Sequence, residues 1–251
     1  MCEQIKVQVK NLTKSYGELL VLDNVSFEVK KGEFLCIVGP TGCGKTTFLN
    51  SLTKLHDIDS GEILLDSVPV NLKKQSIAYI FQENSVLSWR TVAENVALGL
   101  EFKKKELALT KNEIKKKVRD ALSIVGLLKF ENYYPNQLSA SMLQRVVIAR
   151  AFVIAPELLL MDEPYGQLDI NLRFRLEDEV VKICKQFNTT VIFITHNLEE
   201  AVYVGDRILI LTNKPSKIKE ELENPLPRPR DVTSSEFIKL REYVTDQIRW
   251  W

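Results

Sequence analysis

Apolar and polar residues alternate in two stretches near the start of the chain. The first spans residues 5–9 and the second begins at Asn24, and each places an aliphatic or phenylalanine side chain at every other position. Such alternation predicts strands that bury one face, so we expect an antiparallel N-terminal β region. The segment 14–17 between the stretches predicts a loop that exposes the ring of Tyr16.

Continuous apolar runs recur farther along the chain and alternate with helical patterns. Such runs predict strands buried on both faces, as in a mainly parallel sheet that is covered by helices on either side. The runs occupy residues 34–38, 77–81, 158–161, 191–194 and 208–211. Three helical patterns lie between these runs: one begins after residue 44, one covers residues 172–187, and one runs from Asn197 to Gly205. The first of them has an apolar face of Phe48, Leu49, Leu52 and Leu55.

The region from residue 88 to residue 152 is predicted to be mostly helical. Thr91 with Glu94, and Thr110 with Glu113, have the spacing of a capping box, which marks a helix start. We therefore expect an α/β core of residues 1–87 and 153–223, with residues 88–152 as an inserted α-helical subdomain. Residues 224–251 are predicted to be a proline-rich linker and a helix that docks on its own domain through Phe237, Leu240, Val244, Ile248 and Trp251.

Composition excludes some classes of protein. The chain has 251 residues, of which 45% are hydrophobic and 27% charged, values typical of a chain with a full hydrophobic core. A formal net charge of +1 gives no reason to expect nucleic acid as a partner. No apolar run approaches the roughly 20 residues that cross a bilayer, and the N-terminus lacks the apolar core of a signal peptide. Four scattered cysteines predict reduced thiols in a cytosolic protein.

Residues 39–47 form a glycine-rich stretch between a predicted strand and a predicted helix. In this context backbone N–H groups and the helix dipole converge on a phosphate, which predicts binding of a nucleoside triphosphate. Lys45 is expected beside the β- and γ-phosphates, and the Thr46 hydroxyl is expected to bind Mg²⁺. The candidate residues are Gly39, Pro40, Thr41, Gly42, Cys43, Gly44, Lys45, Thr46 and Thr47. Oxidation of Cys43 could block the nucleotide, although most side chains at such a position are merely tolerated.

Two adjacent carboxylates end the apolar run that begins at Leu158. Asp162, at the tip of the predicted strand, suits the Mg²⁺ shell through water. Glu163 can polarise an attacking water as a general base. Because this pair follows a phosphate-binding loop by more than a hundred residues, it favours an NTP-hydrolysing enzyme.

Further motifs make the chain resemble the ATP-binding subunits of ABC transporters. Residues 138–145, Leu-Ser-Ala-Ser-Met-Leu-Gln-Arg, are similar to the family signature, and they precede Asp162 at about the family interval. Gln82 resembles the Q-loop glutamine, which also approaches Mg²⁺, and Leu168-Asp169 resembles the D-loop. His196 resembles the switch histidine, Tyr16 the aromatic that stacks on adenine, and Val21 a lesser contact of the base.

The resemblance implies a P-loop NTPase fold that acts as a pair. Two such domains would meet head to tail, with ATP and Mg²⁺ held between the P-loop of one and the signature of the other. Ser139, Ala140 and Ser141 would then approach the γ-phosphate, and Ser139 can cap a helix whose free N–H groups attract it. The second subunit would be an identical or a different chain.

One feature departs from the family pattern, because Ala140 and Ser141 stand where the family usually has two glycines. The added Cβ atoms would crowd a γ-phosphate, or cost energy if these positions need a positive φ. We expect slower or weaker ATP-driven closure than with intact glycines. An extreme alternative is a non-catalytic half of a heterodimer, which the presence of Lys45, Asp162, Glu163 and His196 disfavours.

The segment 82–92 indicates which kind of partner protein the ATPase acts on. Leu87 and Trp89 are expected either to pack against the helical insertion or to line a groove for a short helix of a membrane partner. This segment and residues 226–231 resemble importer ATPases of the nitrate, sulfonate, taurine and bicarbonate group. The resemblance implies a cytoplasmic subunit, peripheral on the inner face of the cell membrane, that serves membrane permease subunits and indirectly a solute-binding protein. The nutrient would be anionic or a small organic molecule.

A soluble ABC ATPase of an assembly or scaffold system, for instance in iron–sulfur cluster building, is the alternative from another class. A DNA-repair ATPase is disfavoured because it would need a long coiled-coil insertion, which this sequence lacks. Co-purification with an integral membrane protein separates the importer from the scaffold.

Overall fold

The computed structural model describes residues 4–83, 85–103, 108–166 and 170–249. The chain divides into two compact units. The first unit comprises the residues up to Gln75 and those from Asn188 onward, and the second unit comprises Ser76–Phe187. The predicted domain boundaries, at residues 87/88, 152/153 and 223/224, stay a prediction.

The helices and strands of both units are as follows. The strands are β1 (Ile5–Tyr16), β2 (Leu19–Lys30), β3 (Phe34–Val38), β4 (Ser60–Leu65), β5 (Val68–Pro69), β6 (Ile77–Ile80), β7 (Leu158–Asp162), β8 (Thr190–Ile194), β9 (Arg207–Leu211) and β10 (Ile218–Glu223). The helices are α1 (Lys45–Leu52), α2 (Val92–Lys103), α3 (Lys111–Ile124), α4 (Ala140–Phe152), α5 (Ile170–Phe187), α6 (Leu198–Val204) and α7 (Ser235–Arg249). Short 3₁₀ helices span Leu128–Phe130 and Pro135–Gln137.

The N-terminal residues of the first unit form the predicted antiparallel sheet, in the order β2-β1-β4-β5. Two expectations were wrong here: β1 continues through Tyr16, and β2 begins at Leu19 rather than at Asn24. Irregular pairing and a positive φ at Asn24 let the hairpin continue, so that Tyr16 pairs with Leu19. The expected loop at residues 14–17 is therefore mostly strand.

The parallel strands of the first unit carry the phosphate-binding loop. β3 pairs in parallel with β8 on one side and β9 on the other, while β10 pairs antiparallel with β9. All residues of β3 and β8 are buried, which explains their continuous apolar runs. The helix after β3 is shorter than expected, since α1 ends at Leu52 and Leu55 is 57% exposed.

The C-terminal helix α7 packs on α6 and β9 of the same unit, as predicted. Phe237 and Val244 are fully buried, whereas Leu240 is half-buried. Trp251, also predicted on this face, lies outside the described residues.

The second unit contains the predicted helical region. β6 and β7 pair in parallel, and α2, α3 and α4 pack against one another. Both predicted capping boxes are confirmed: Thr91 and Glu94 exchange side chain–backbone bonds before α2, and Thr110 and Glu113 do so at α3. Within the described parts of both units, no helix combines the length and apolarity that a membrane crossing requires.

Candidate functional site

The phosphate-binding loop of the first unit depends on glycine at position 44. Gly44 is the N-cap of α1 with a φ of 111°, a conformation that side chains rarely tolerate. A Cβ there would lie 2.7 Å from Cγ1 of Val21, so the loop packs directly on β2. Gly42 also has a positive φ, of 78°. These conformations let the loop turn sharply from β3 into α1.

Lys45 holds a buried positive charge at this loop. Its residue is only 6% exposed, and its Nζ donates to the carbonyl oxygens of Gly39 at 2.9 Å and Pro40 at 3.1 Å. The first turn of α1 contains no acidic residue, so the ammonium and the N-terminus of the helix both contribute positive potential at this loop. Thr46, the predicted Mg²⁺ ligand, is exposed beside it. This arrangement suits a phosphate.

Cys43 is a buried thiol in this loop. Its residue is 1% exposed, and burial raises the pKa of the thiol, which outweighs the opposing effect of Lys45. Since the thiolate is the reactive form, the geometry disfavours the redox role considered for Cys43.

Tyr16 is the candidate adenine platform. The residue is 43% exposed, with Lys14 Nζ 5.2 Å from its ring centroid and the His56 ring edge-on at 5.8 Å. Val21, by contrast, is 2% exposed and faces Gly44. The side chain of Val21 is thus covered by the loop, and its contact with the base stays a prediction.

His196 is the second residue after β8, which ends at Ile194, and it directly precedes Asn197, the N-cap of α6. Its residue is exposed, while Thr195 before it is buried. The side chain of Asn197 accepts from the backbone N–H groups of Glu199 at 3.0 Å and Glu200 at 3.4 Å. The switch-histidine candidate thus stands at a strand-to-helix junction with a well-defined backbone.

The two carboxylates of the second unit differ in environment. Asp162, the last residue of β7, is 4% exposed, and one of its oxygens accepts from the Tyr79 hydroxyl at 3.5 Å. Burial, and next the charge of Asp162, raise the pKa of Tyr79. Glu163 has a φ of 46°, and its Oε2 accepts from Gln82 Nε2 at 3.3 Å. The fold thereby joins two candidate residues that are 81 positions apart in sequence.

The signature-like segment forms the start of α4. Ser139 is the N-cap, and its Oγ accepts from the backbone N–H of Met142 at 3.4 Å and lies 3.0 Å from Oγ of Ser141. Ala140 and Ser141 are part of the helix and have no positive φ. The expected backbone strain does not arise, so only steric crowding by the two side chains remains.

A family model described as ABC transporter matches residues 22–166 of the chain. The chain belongs to the ABC transporter family. An ABC transporter ATP-binding protein of Methanocaldococcus jannaschii is 41% identical over 250 residues, which cover 98% of this chain and 92% of the relative. The aliphatic sulfonates import ATP-binding protein SsuB of Bacillus cereus is 39% identical over 96% of this chain and 93% of its own. The nitrate import ATP-binding protein NrtD of Synechococcus elongatus is 36% identical over 92% and 85%.

Solved structures of this family have the same fold. The dimeric structure of the ABC transporter cassette MJ0796 superposes with a TM-score of 0.76 at 32% identity, covering 86% of this chain and 98% of that one. The same cassette bound to ADP and phosphate, in a post-hydrolysis state, gives a TM-score of 0.75. The predicted α/β P-loop fold, the family resemblance and the assignment as an ATPase are confirmed.

The candidate residues of this ABC transporter chain divide between its two units. The P-loop, Tyr16 and His196 belong to the first, whereas Gln82, the carboxylates and Ser139 belong to the second. Leu168 and Asp169, the predicted D-loop, lie outside the described residues. Sequence reasoning missed Tyr79, because its contact with Asp162 joins two strands whose pairing no local pattern signals.

Proposed function

We propose that the chain is the ATP-hydrolysing subunit of an importer for a small anionic or organic nutrient, peripheral on the cytoplasmic face of the membrane. It would pair with a second ATP-binding subunit, serve membrane permease subunits, and depend indirectly on a solute-binding protein. The sulfonate and nitrate importer names of its relatives support this class of substrate. The observation that supports a membrane partner is the exposure of Trp89, a large aromatic residue that is 72% exposed in this chain.

ATP binding is assigned to the loop that holds Lys45. The Lys45 ammonium would give up its hydrogen bonds to the Gly39 and Pro40 carbonyl oxygens and bond the β- and γ-phosphate oxygens instead. Bonds to the charged phosphate oxygens are stronger than bonds to the neutral carbonyl oxygens. The N–H groups at the start of α1 would bind the same phosphates. The exposed ring of Tyr16 offers a stacking surface for adenine.

The donor atoms expected for Mg²⁺ fit the ion. Thr46 offers a hydroxyl and Asp162 a carboxylate, and Gln82, which uses its amide nitrogen toward Glu163, keeps its amide oxygen for a cation. Among the described residues no cluster of three or more His, Cys, Asp or Glu side chains could hold a metal by itself. Mg²⁺ is usually held by one or two carboxylates together with the substrate phosphates. When bound, the ion would neutralise charge on the phosphates.

Glu163 is proposed as the general base. Its left-handed backbone turns the chain sharply after β7, and its Oε2 accepts a hydrogen bond from Gln82 Nε2. The carboxylate is proposed to accept a proton from the attacking water. His196 is proposed to polarise the γ-phosphate as a hydrogen-bond donor. Ser139 and the N-terminus of α4 would bind the γ-phosphate of a nucleotide on the second subunit, as in the family pattern.

A partner-binding test separates the importer from a soluble assembly ATPase. The chain is co-expressed with any integral membrane protein that is encoded beside its gene, and it is purified in detergent. We expect a membrane protein to co-purify, and Trp89→Ala to weaken its binding about 30-fold, as for a buried aromatic anchor. Phe102→Ala, another exposed aromatic that is 83% exposed on α2, is the matched control and should leave recovery unchanged.

Both variants must still bind ATP, which a fluorescent nucleotide monitors. Purification of the parent without any membrane protein would favour the soluble assembly ATPase. If the Trp89→Ala variant recovered as much membrane protein as the parent, Trp89 would not be part of the partner-binding surface.

A further inference from the structure

The last turn of α6 is bonded by side chains from the segment that follows β10. α6 has seven residues, so most of its terminal carbonyl groups need partners from outside the helix. Asn224 Nδ2 donates to the carbonyl oxygens of Val202 at 2.8 Å and Gly205 at 3.0 Å. Arg230 Nη1 donates to those of Val202 at 2.9 Å and Tyr203 at 2.8 Å. We call Asn224, Arg228 and Arg230 the α6 clamp.

Arg228 is the third residue of the clamp. Its guanidinium donates to the carbonyl oxygens of Tyr203 and Val204 and forms an ion pair with Asp206 at 2.7 Å. The carbonyl groups of Val202, Tyr203 and Val204 thus each meet at least one donor from the clamp. Cations are favourable at a helix C-terminus because they oppose the negative end of the dipole.

Arg230 is a buried cation whose partners are backbone oxygens. The residue is 8% exposed, and burial, followed by the nearby charge of Arg228, lowers its pKa to about 10. It therefore remains charged at neutral pH. A charge buried in this way is tolerated only where its hydrogen bonds are made, so α6 and Arg230 hold each other in one arrangement.

The opposite end of α6 adjoins His196. Thr195 Oγ1 donates to the buried Glu200 carboxylate at 2.5 Å and accepts from the backbone N–H of Asn197 at 2.9 Å. Arg241 of α7 reaches Glu199, in the first turn, at 3.4 Å. The backbone of His196 is thus bracketed by bonds to the first turn of α6, and a shift of the helix would move the histidine with it.

We propose that Arg228 and Arg230 are positioning residues for His196. The clamp fixes the C-terminal end of α6, and α6, a rigid element roughly 10 Å long, fixes the backbone from which the His196 side chain projects. The C-terminal segment, which is otherwise a covering element, would in this way set the geometry of ATP hydrolysis. The inference rests on the proposed role of His196.

A double-mutant cycle on the purified full-length chain tests this inference. Arg230→Met keeps the length of the side chain but removes its donors, and it is made in the parent and in the His196→Ala variant. The steady-state ATPase rate, the ATP dissociation constant and the melting temperature are measured for all four proteins. Arg228→Met, at a half-buried position, is a milder second variant that keeps the test valid if Arg230→Met does not fold.

We expect Arg230→Met to lower the ATPase rate about tenfold when His196 is present and less than about twofold when it is absent. The melting temperature should fall equally in both backgrounds, and ATP binding should be unchanged. The matched control is Arg207→Met, because Arg207 is an arginine of the same unit that is ion-paired with Glu33 and Glu221. It should lower the melting temperature without a rate effect that depends on His196.

Equal rate losses in both backgrounds would overturn the inference while leaving the role of His196 intact. An unchanged rate in a folded Arg230→Met variant would overturn it as well. If His196→Ala itself hydrolysed ATP at the parent rate, the proposed role of His196 would fail, and the inference would fail with it.

Discussion

Replacing Ala140 and Ser141 by the two glycines usual in the family should change stability and activity in opposite directions. Both residues lie in the first turn of α4 with helical backbone, so glycine removes helix propensity without relieving any strain. The expected cost is about 1 kcal/mol for the alanine and about 0.5 kcal/mol for the serine. For a chain of this size, the sum lowers the melting temperature by about 3–6 °C.

The activity should rise for two physical reasons. Removing two Cβ atoms opens space before the N-terminus of α4, where we place the γ-phosphate of the other subunit. Removing the Ser141 hydroxyl, 3.0 Å from that of Ser139, also leaves the Ser139 hydroxyl available to bond the phosphate. One hydrogen bond gained in the closed state corresponds to a rate increase between about twofold and about tenfold.

The assay compares steady-state ATPase turnover and melting temperature for the parent, both single variants and the double variant. Ser123→Gly is the matched control, because Ser123 is exposed on α3 of the same unit and far in sequence from the signature. It should lose stability without gaining turnover. Equal turnover of parent and double variant would refute the idea that Ala140 and Ser141 hold back closure.

Two further predictions concern the base and a helix cap. The Glu163→Gln variant should bind ATP normally but hydrolyse it about 10²- to 10⁴-fold more slowly, the usual loss when a general base is removed, and it should accumulate as a closed dimer on gel filtration. Normal turnover would exclude Glu163 as the base. The control variant is Glu157→Gln, which changes an exposed carboxylate before β7. Thr110→Ala should lower stability at pH 7 by about 1 kcal/mol through loss of the N-cap. Because the Thr110 hydroxyl and backbone N–H lower the pKa of Glu113, the part of the stabilisation that the Glu113 carboxylate contributes is present at neutral pH and is lost as the pH falls through that lowered pKa. The stability difference between parent and variant should therefore shrink in acid urea titrations, while the bond from the Glu113 backbone N–H to the Thr110 hydroxyl keeps it above zero.

Local features of this protein could be predicted from the sequence because their physics is local. The strand, glycine loop and helix around Lys45, the capping boxes at Thr91 and Thr110, and the N-cap at Ser139 each depend on residues within a few positions of one another. The boundaries of the N-terminal hairpin were wrong because pairing of β1 with β2 extended both strands through residues that have no alternating pattern.

Contacts between distant segments were decided only by the tertiary structure. The Gln82–Glu163 bond, the Tyr79–Asp162 bond and the α6 clamp join positions separated by about 20 to 80 residues. No periodicity encodes such pairings, since they follow from which strands become neighbours and which buried donors then need acceptors. The sequence by itself therefore determined the family and predicted the chemistry of each motif. Only the tertiary structure decided which distant side chains and backbone groups are bonded to one another, because a buried polar group such as the Arg230 guanidinium must have hydrogen-bond partners.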